Sequence, residues 1–199
     1  MDASSALPGR PEPILANPRE HAVLATPITG PWREGQKRIL VGIGCFWGVE
    51  QMFWQRDGVE STSVGYAGGV TPNPTYREVC SGQTNHVEVV EVVYDPQVIS
   101  LKEIVKTALE AHDPTQGYRQ GNDVGTQYRS AFYTDTEEEA EQIRGWIRQY
   151  EEDLQSAGYG DITTEVASVE KDGVRYYLAE EEHQQYLHKV PNGYCPHHS

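Results

Sequence analysis

Ile39-Leu40-Val41-Gly42-Ile43-Gly44-Cys45-Phe46-Trp47-Gly48 passes from an apolar run into a helical pattern. A cysteine therefore stands where a strand becomes a helix, bracketed by glycines and followed by two large aromatics. A helix start presents unpaired backbone N–H groups and the positive end of the helix dipole. That environment favours thiolate, the nucleophilic form of the side chain. A buried structural cysteine at a tight turn would use the same residues, and the stretch alone leaves both readings open.

Outward from this stretch, the pattern is one of alternating strands and helices. Lys37 to Gly44 reads as a buried strand. Phe46, Val49, Phe53 and Trp54 recur at helical spacing until Asp57-Gly58 stops the helix. Val59 to Tyr66 and the valine-rich His86 to Tyr94 read as strands. A turn-rich loop, Ala67-Gly68-Gly69 through Pro72-Asn73-Pro74, lies between them. Ser100 and Glu103 form a capping-box start for a helix ending near His112. Residues 113–127 form a long loop with three glycines, and loops of that length in a compact domain are usually functional. Ser130 to Tyr133 reads as a strand. Thr136 and Glu139 cap a helix with the stripe Ile143, Trp146, Ile147, Tyr150 and Leu154. Thr163 to Val169 reads as a strand and Glu180 to Lys189 as one short helix. The order implies an α/β or α+β layer with helices packed on a mixed sheet.

Before this domain, residues 1–36 are dense in proline, which excludes helix and central strand. Ile14, Leu15, Val23, Leu24 and Ile28 imply an arm packed on the core, followed by a catalytic domain over 37–190 and a mobile tail over 191–199. The 199 residues carry 30 acidic and 16 basic side chains, a formal net charge of −14. Nucleic acid and anionic membrane are therefore poor partners. No apolar run reaches the length of a membrane span and no secretory signal is visible. Three cysteines, odd and sparse, fit a reducing compartment, so a cytoplasmic protein is expected.

Besides Cys45, candidate chemistry is spread along the chain. Cys195 lies in Pro191-Asn192-Gly193-Tyr194-Cys195-Pro196, where proline and glycine imply mobility. It is either a resolving thiol that travels to Cys45 or an incidental tail thiol. Cys80 reads as structural. Glu88 sits on a strand that otherwise favours burial. There it is either a desolvated acid with a raised pKa or a side chain facing water. Glu91 points to the opposite face by the strand period. Tyr76 and Tyr128, in the two glycine-rich loops, could donate hydroxyls to a polar substrate or simply pack. Asp123 reads as a turn residue.

Other motifs are weaker. Gly42-x-Gly44-x-x-x-Gly48 lacks the spacing of a dinucleotide loop, and Phe46 and Trp47 would obstruct a pyrophosphate. Cys195, His197 and His198 make a poor metal set, and no metal is expected. No C-x-x-C occurs.

Taken together, these blocks resemble the peptide methionine sulfoxide reductase A family. Gly44-Cys45-Phe46-Trp47-Gly48 is similar to its signature. Asn73 to Gly82 with His86 and Glu88, then Gly121 to Ser130, then Glu182 to Leu187 and Asn192 to Cys195 follow in the family's order. The arm, with Ala6 to Arg10, resembles the N-terminal extension of some bacterial members. The resemblance implies a two-layer α/β plait with a ferredoxin-like core, a mixed sheet and long coils wrapping it. It implies that Cys45 is the nucleophile, Glu88 the general acid and Cys195 the resolving cysteine. Tyr76 and Tyr128 would bind the sulfoxide oxygen. Phe46 and Trp47 would form the methyl pocket, with Asp123 near the substrate backbone. Some members carry a further cysteine in a longer tail. Here four residues follow Cys195, so a three-cysteine relay is not expected.

The implied activity is reduction of the S epimer of methionine sulfoxide, free or in proteins, as a repair reaction. Cys45 would become a sulfenic acid and then a disulfide recycled by thioredoxin, or by dithiothreitol in vitro. No bound cofactor is implied, and a monomer is expected. A dithiol peroxidase shares the two-thiol logic but needs no aromatic pocket. A nucleotide- or metal-binding module is the rival outside enzymes.

Overall fold

The structure, a computed structural model, describes residues 1–194. β1 (Lys37–Gly42) leads into α1 (Phe46–Trp54) and β2 (Val59–Ala67). The short α2 (Tyr76–Cys80) precedes β3 (Val87–Tyr94) and α3 (Leu101–Glu110). β4 (Arg119–Gln120) and β5 (Asp123–Val124) pair as a small hairpin within the long loop. β6 (Ala131–Thr134), α4 (Glu137–Ser156), β7 (Glu165–Ser168), α5 (Val169–Asp172), β8 (Tyr176–Leu178) and α6 (Tyr186–Lys189) complete the described chain.

Six strands form one sheet in the order β7-β6-β1-β3-β2-β8. The sheet is mixed: β6 and β7 run parallel, and the other neighbours run antiparallel. β3 is central and every one of its residues is buried, which explains its run of valines, since both faces are covered. Its period of two divides them. Val90, Val92 and Tyr94 join Phe46, Val49 and Phe53 of α1, Ile104 and Ala108 of α3 and Ile143 of α4 in the main core. Val87 and Val89 pack on the other face with Leu40, Ala131 and Tyr133. Each fully buried valine, leucine, isoleucine or phenylalanine among them contributes roughly 1.5–3 kcal/mol of burial free energy.

The helix starts follow the sequence closely. Thr136 and Glu139 make a reciprocal capping box at α4, and Ser100 accepts the Glu103 N–H at α3. In α4 Ile143 is buried, while Trp146, Ile147 and Tyr150 are half-buried at the edge of the core. Three departures concern the site. β1 ends at Gly42, two residues short of the expected strand. α2 was not anticipated, although Thr75 and Glu78 form its capping box and carry the S/T-x-x-E signature. The expected helix over Glu180 to Lys189 is broken into a 3₁₀ turn, Glu181–His183, and α6, because Gln185 takes a left-handed φ of 48°.

Residues 1–36 contain no helix or strand. This segment touches the domain at defined points. Arg10 donates to Asn73 O at 2.7 Å and to Glu78 at 2.8 Å, and Leu7 N–H donates to Gln83 O. Ile28 and His21 are buried. No helix among the described residues is long and apolar enough to cross a membrane.

Candidate active site

Cys45 is the residue before the first turn of α1, with φ −53° and ψ 120°, and it is 6% exposed. Its side chain makes no capping bond to the helix, whose first-turn N–H groups follow it directly in the chain. Gly44 makes the approach with φ +108°, and a Cβ there would lie 3.1 Å from Gln120 Cγ. Any other residue would strain this turn.

Glu88 lies on β3, directly opposite Tyr66 in the sheet, and is 1% exposed. Its Oε1 accepts the backbone N–H of Phe46 at 3.2 Å. Oε2 is buried and has no hydrogen bond among the described residues. Burial pushes the carboxyl up to about 8, against the Phe46 N–H and aided by the charge of Asp123. At neutral pH Glu88 is therefore protonated, a donor held beside Cys45. Glu91 faces the other side of the sheet and is paired with Arg38 at 2.8 Å.

Two tyrosines sense the same charges. Burial first, then Glu88, raises both the Tyr76 and Tyr128 hydroxyls well above the ordinary phenol range. The charge of Asp123 acts on Tyr128 as well, and that of Cys45 more weakly. Both hydroxyls are therefore donors at all working pH values. Tyr76 is aimed by α2, whose first N–H donates to Glu180 Oε2 at 2.9 Å, while Tyr66 donates its hydroxyl to Glu180 Oε1 at 3.0 Å. Tyr128 closes the 3₁₀ turn Thr126–Tyr128. Arg129 braces that turn by donating to Thr126 O at 2.9 Å and Asn85 O at 3.0 Å.

The aromatic residues form a continuous group. The Trp47 ring stacks on Tyr186 at 4.0 Å between centroids, and Tyr76 lies 4.4 Å from His183. Phe46 lies 5.6 Å from His183 and 5.9 Å from Tyr66. Trp47 donates its indole N–H to His183 Nδ1 at 3.1 Å. Asp123, at the hairpin, accepts the Tyr194 hydroxyl on Oδ1 at 3.1 Å, and its Oδ2 is buried with no hydrogen bond among the described residues.

Cys80 is exposed at the end of α2. Partial burial of the sulfur raises its pKa, as do Glu88 and Glu180, against a hydrogen bond with Tyr76. It remains a thiol at neutral pH, a poor nucleophile. Cys195 lies outside the described residues.

The structure thus brings Cys45, Phe46, Trp47, Tyr76, Glu88, Asp123 and Tyr128 into one neighbourhood. Reading the sequence assigned no part to Glu180, His183 or Tyr186, which complete it. They lie more than a hundred residues from their partners, and the break at Gln185 together with the pairing of Gln184 on β2 places the segment. That break has a cause. Glu50 of α1, fully buried, accepts the Gln185 backbone N–H at 2.8 Å and its side-chain amide at 2.9 Å. The Thr62 hydroxyl adds a third bond at 2.7 Å. His21 Nδ1 accepts from the Val23 and Leu24 N–H groups, so Nε2 carries the proton and donates to Thr62 at 2.7 Å. Burial pushes His21 down to about 4, so its 3.9 Å approach to Glu50 is not an ion pair.

Comparison with known proteins gives a consistent picture. A family model described as peptide methionine sulfoxide reductase matches residues 37–199. Peptide methionine sulfoxide reductase MsrA of Corynebacterium efficiens is 69% identical over 194 residues, covering 98% of this chain and 88% of that protein. Among solved structures, methionine sulfoxide reductase A of Corynebacterium diphtheriae superposes with a TM-score of 0.93 at 55% identity, covering 100% of this chain and 94% of the other. A Saccharomyces cerevisiae protein crystallised in reduced form gives a TM-score of 0.74 at 34% identity, over 83% of this chain and 92% of that one.

Proposed function

Because the chain belongs to the peptide methionine sulfoxide reductase family, we propose that Cys45 attacks the sulfur of methionine sulfoxide while Glu88 protonates its oxygen. The protein is an oxidoreductase acting on methionine sulfoxide. The observation that carries the residue assignment is the Phe46–Glu88 hydrogen bond. It ties a protonated, buried acid to the helix start that Cys45 occupies.

A sulfoxide sulfur carries partial positive charge and its oxygen partial negative charge. The Cys45 thiolate bonds to the sulfur as the oxygen takes up a proton from Glu88. The Tyr76 and Tyr128 hydroxyls hydrogen-bond that oxygen as its charge develops. The oxygen then passes to Cys45, leaving methionine and a Cys45 sulfenic acid. The substrate has been reduced by two electrons and the thiol oxidised by two. The Cys195 thiol condenses with the sulfenic acid, forming a disulfide and releasing water. A dithiol protein of the thioredoxin type, or dithiothreitol, reduces that bond by exchange.

Phe46 and Trp47 supply the apolar wall for the substrate methyl group, and Asp123 meets the substrate backbone. The buried aromatic surface around Cys45 favours this reading over a peroxidase, whose substrate has no methyl group to recognise. The arm serves as a brace on the catalytic domain and the tail as the carrier of the resolving thiol. The strand order β6-β1-β3-β2, with α1 and α3 on one face, supports a ferredoxin-like plait as the core. The scarcity of cysteine supports a reducing cytoplasmic setting. The test is a dithiothreitol-driven assay on each sulfoxide epimer separately. Turnover of the S epimer alone is expected, and equal turnover of both, or of neither, would overturn the assignment.

A further inference from the structure

The indole of Trp47 is held by a part of the chain that has no role in the chemistry. Its N–H donates to His183 Nδ1 at 3.1 Å, and the two rings stack at 19° with centroids 5.8 Å apart. Tyr186 covers the same indole at 4.0 Å. His183 also lies against Tyr76 and Phe46 and is 7% exposed. As the acceptor, Nδ1 bears no proton, so His183 is fixed as the neutral Nε2–H tautomer.

His183 is itself held in place. Its neighbour Gln184 pairs with β2, the amide donating to Val64 O at 2.9 Å and the carbonyl accepting the Val64 N–H at 2.9 Å. The next residue, Gln185, is tied to Glu50 by two bonds. Trp47 and Glu50 stand three apart on α1, and positions so spaced share a helix face. One face of α1 therefore grips the segment 183–186 twice, by the indole and by the carboxylate. A half-buried indole in a first helical turn would otherwise have rotamers to choose from.

We propose that His183 is a positioning residue for the substrate pocket: by fixing the plane of Trp47 it sets how strictly the site distinguishes a methyl from a larger alkyl sulfoxide. This inference rests on reading Phe46 and Trp47 as the methyl wall. A hydrophobic pocket separates substrates differing by one methylene by about 10- to 200-fold, and only while its wall is rigid.

The experiment compares kcat/KM for methionine sulfoxide and ethionine sulfoxide in wild type, His183→Phe, His183→Gln, Trp47→Phe and the Trp47→Phe/His183→Phe double variant. His183→Phe keeps a ring but no acceptor. It is expected to lower kcat/KM for methionine sulfoxide about tenfold, mainly through KM, and to narrow the methyl–ethyl ratio. His183→Gln keeps an acceptor oxygen and is expected to restore most of that ratio, which a general packing defect would not allow. The double variant is expected to match Trp47→Phe alone, because the histidine acts through the indole. Multiplying effects in the double variant, or an unchanged ratio in His183→Phe, would overturn the inference. If Trp47→Phe itself leaves the methyl–ethyl ratio intact, the methyl-wall reading fails, and this inference with it.

Discussion

Glu88 accepts the backbone N–H of Phe46, the residue after Cys45, so the acid and the nucleophile share one helix terminus. A carboxyl at a helix N-terminus is usually stabilised as an anion. Here burial outweighs that bond and pushes the group up to about 8. The acid is therefore loaded at neutral pH. Glu88→Gln removes the proton and keeps the shape, and it is expected to slow the single-turnover release of methionine about 10²-fold or more. In wild type the acid limb of that step holds below pH 8 and declines above it as Glu88 ionises. Stopped-flow measurement across pH 6–10 checks both, and a limb unchanged by Glu88→Gln would move the acid role elsewhere.

The same burial has a cost in stability. Unfolded, Glu88 titrates at the ordinary carboxylate value near 4.5; folded, burial pushes it up to about 8. Between these values the native state holds a proton that the unfolded state has lost. Its stabilising contribution is complete below the lower value and falls away as pH rises through the higher one. Glu88→Gln cannot ionise, so its stability relative to wild type is expected to increase from pH 5 to pH 8 and then level off. A gain of several kcal/mol by the plateau, at most about 5, is the expected scale. Denaturant midpoints of both proteins at four pH values measure the difference, and a flat difference curve would contradict the raised pKa.

Tyr76 and Tyr128 approach Glu88 from different elements, one at the head of α2 beside Glu180 and the other at the end of a 3₁₀ turn braced by Arg129. Because both hydroxyls stay protonated, each supplies one donor to the oxygen. Tyr76→Phe and Tyr128→Phe are each expected to reduce kcat/KM about tenfold, and the pair by more than either alone, toward the 10²–10³-fold known for lost oxyanion donors. If the double variant matches the weaker single one, only one tyrosine touches the oxygen.

Much of this neighbourhood was legible before folding. The turn at Gly44-Cys45 was readable because glycine and the spacing of Phe46, Val49 and Phe53 are local signals. The period of β3 correctly set Glu88 and Glu91 on opposite faces. It could not report that Glu88 is covered, because cover comes from α1 lying over the sheet. The small hairpin of β4 and β5 was hidden among glycines. The break at Gln185 was illegible for a sharper reason: a non-glycine left-handed residue is costly, and here Glu50, 135 positions earlier, holds it. Tyr186 followed from that break and His183 from the long-range pairing of Gln184 with Val64, and neither had a local signature of its own.

Cys80 offers a contrast with Cys45. It is exposed, yet partial burial of its sulfur, with Glu180 adding to it, keeps it a thiol. Exposure alone therefore does not make it reactive. Cys80→Ser retains a hydroxyl for the bond with Tyr76 and is expected to leave turnover unchanged within about a factor of two. Iodoacetamide at pH 7 is expected to alkylate Cys80 slowly, and faster above pH 9. Rapid labelling at pH 7, or lost turnover in Cys80→Ser, would give this thiol a redox part.

The two remaining cysteines are distinguished by stoichiometry. If Cys45 takes the oxygen, Cys45→Ser forms no methionine, even in the first turnover. If the Cys195 thiol only resolves the sulfenic acid, Cys195→Ser still completes the first attack. It should then release about one equivalent of methionine per enzyme and stall when a thioredoxin-type protein is the reductant. The stalled enzyme should react with dimedone, a trap for sulfenic acid, at Cys45. Quenched-flow counting of methionine, with mass spectrometry of the adduct, reads both outcomes. Undiminished multiple turnover in Cys195→Ser would exclude the resolving role. A full first equivalent from Cys45→Ser would remove the nucleophile from the head of α1.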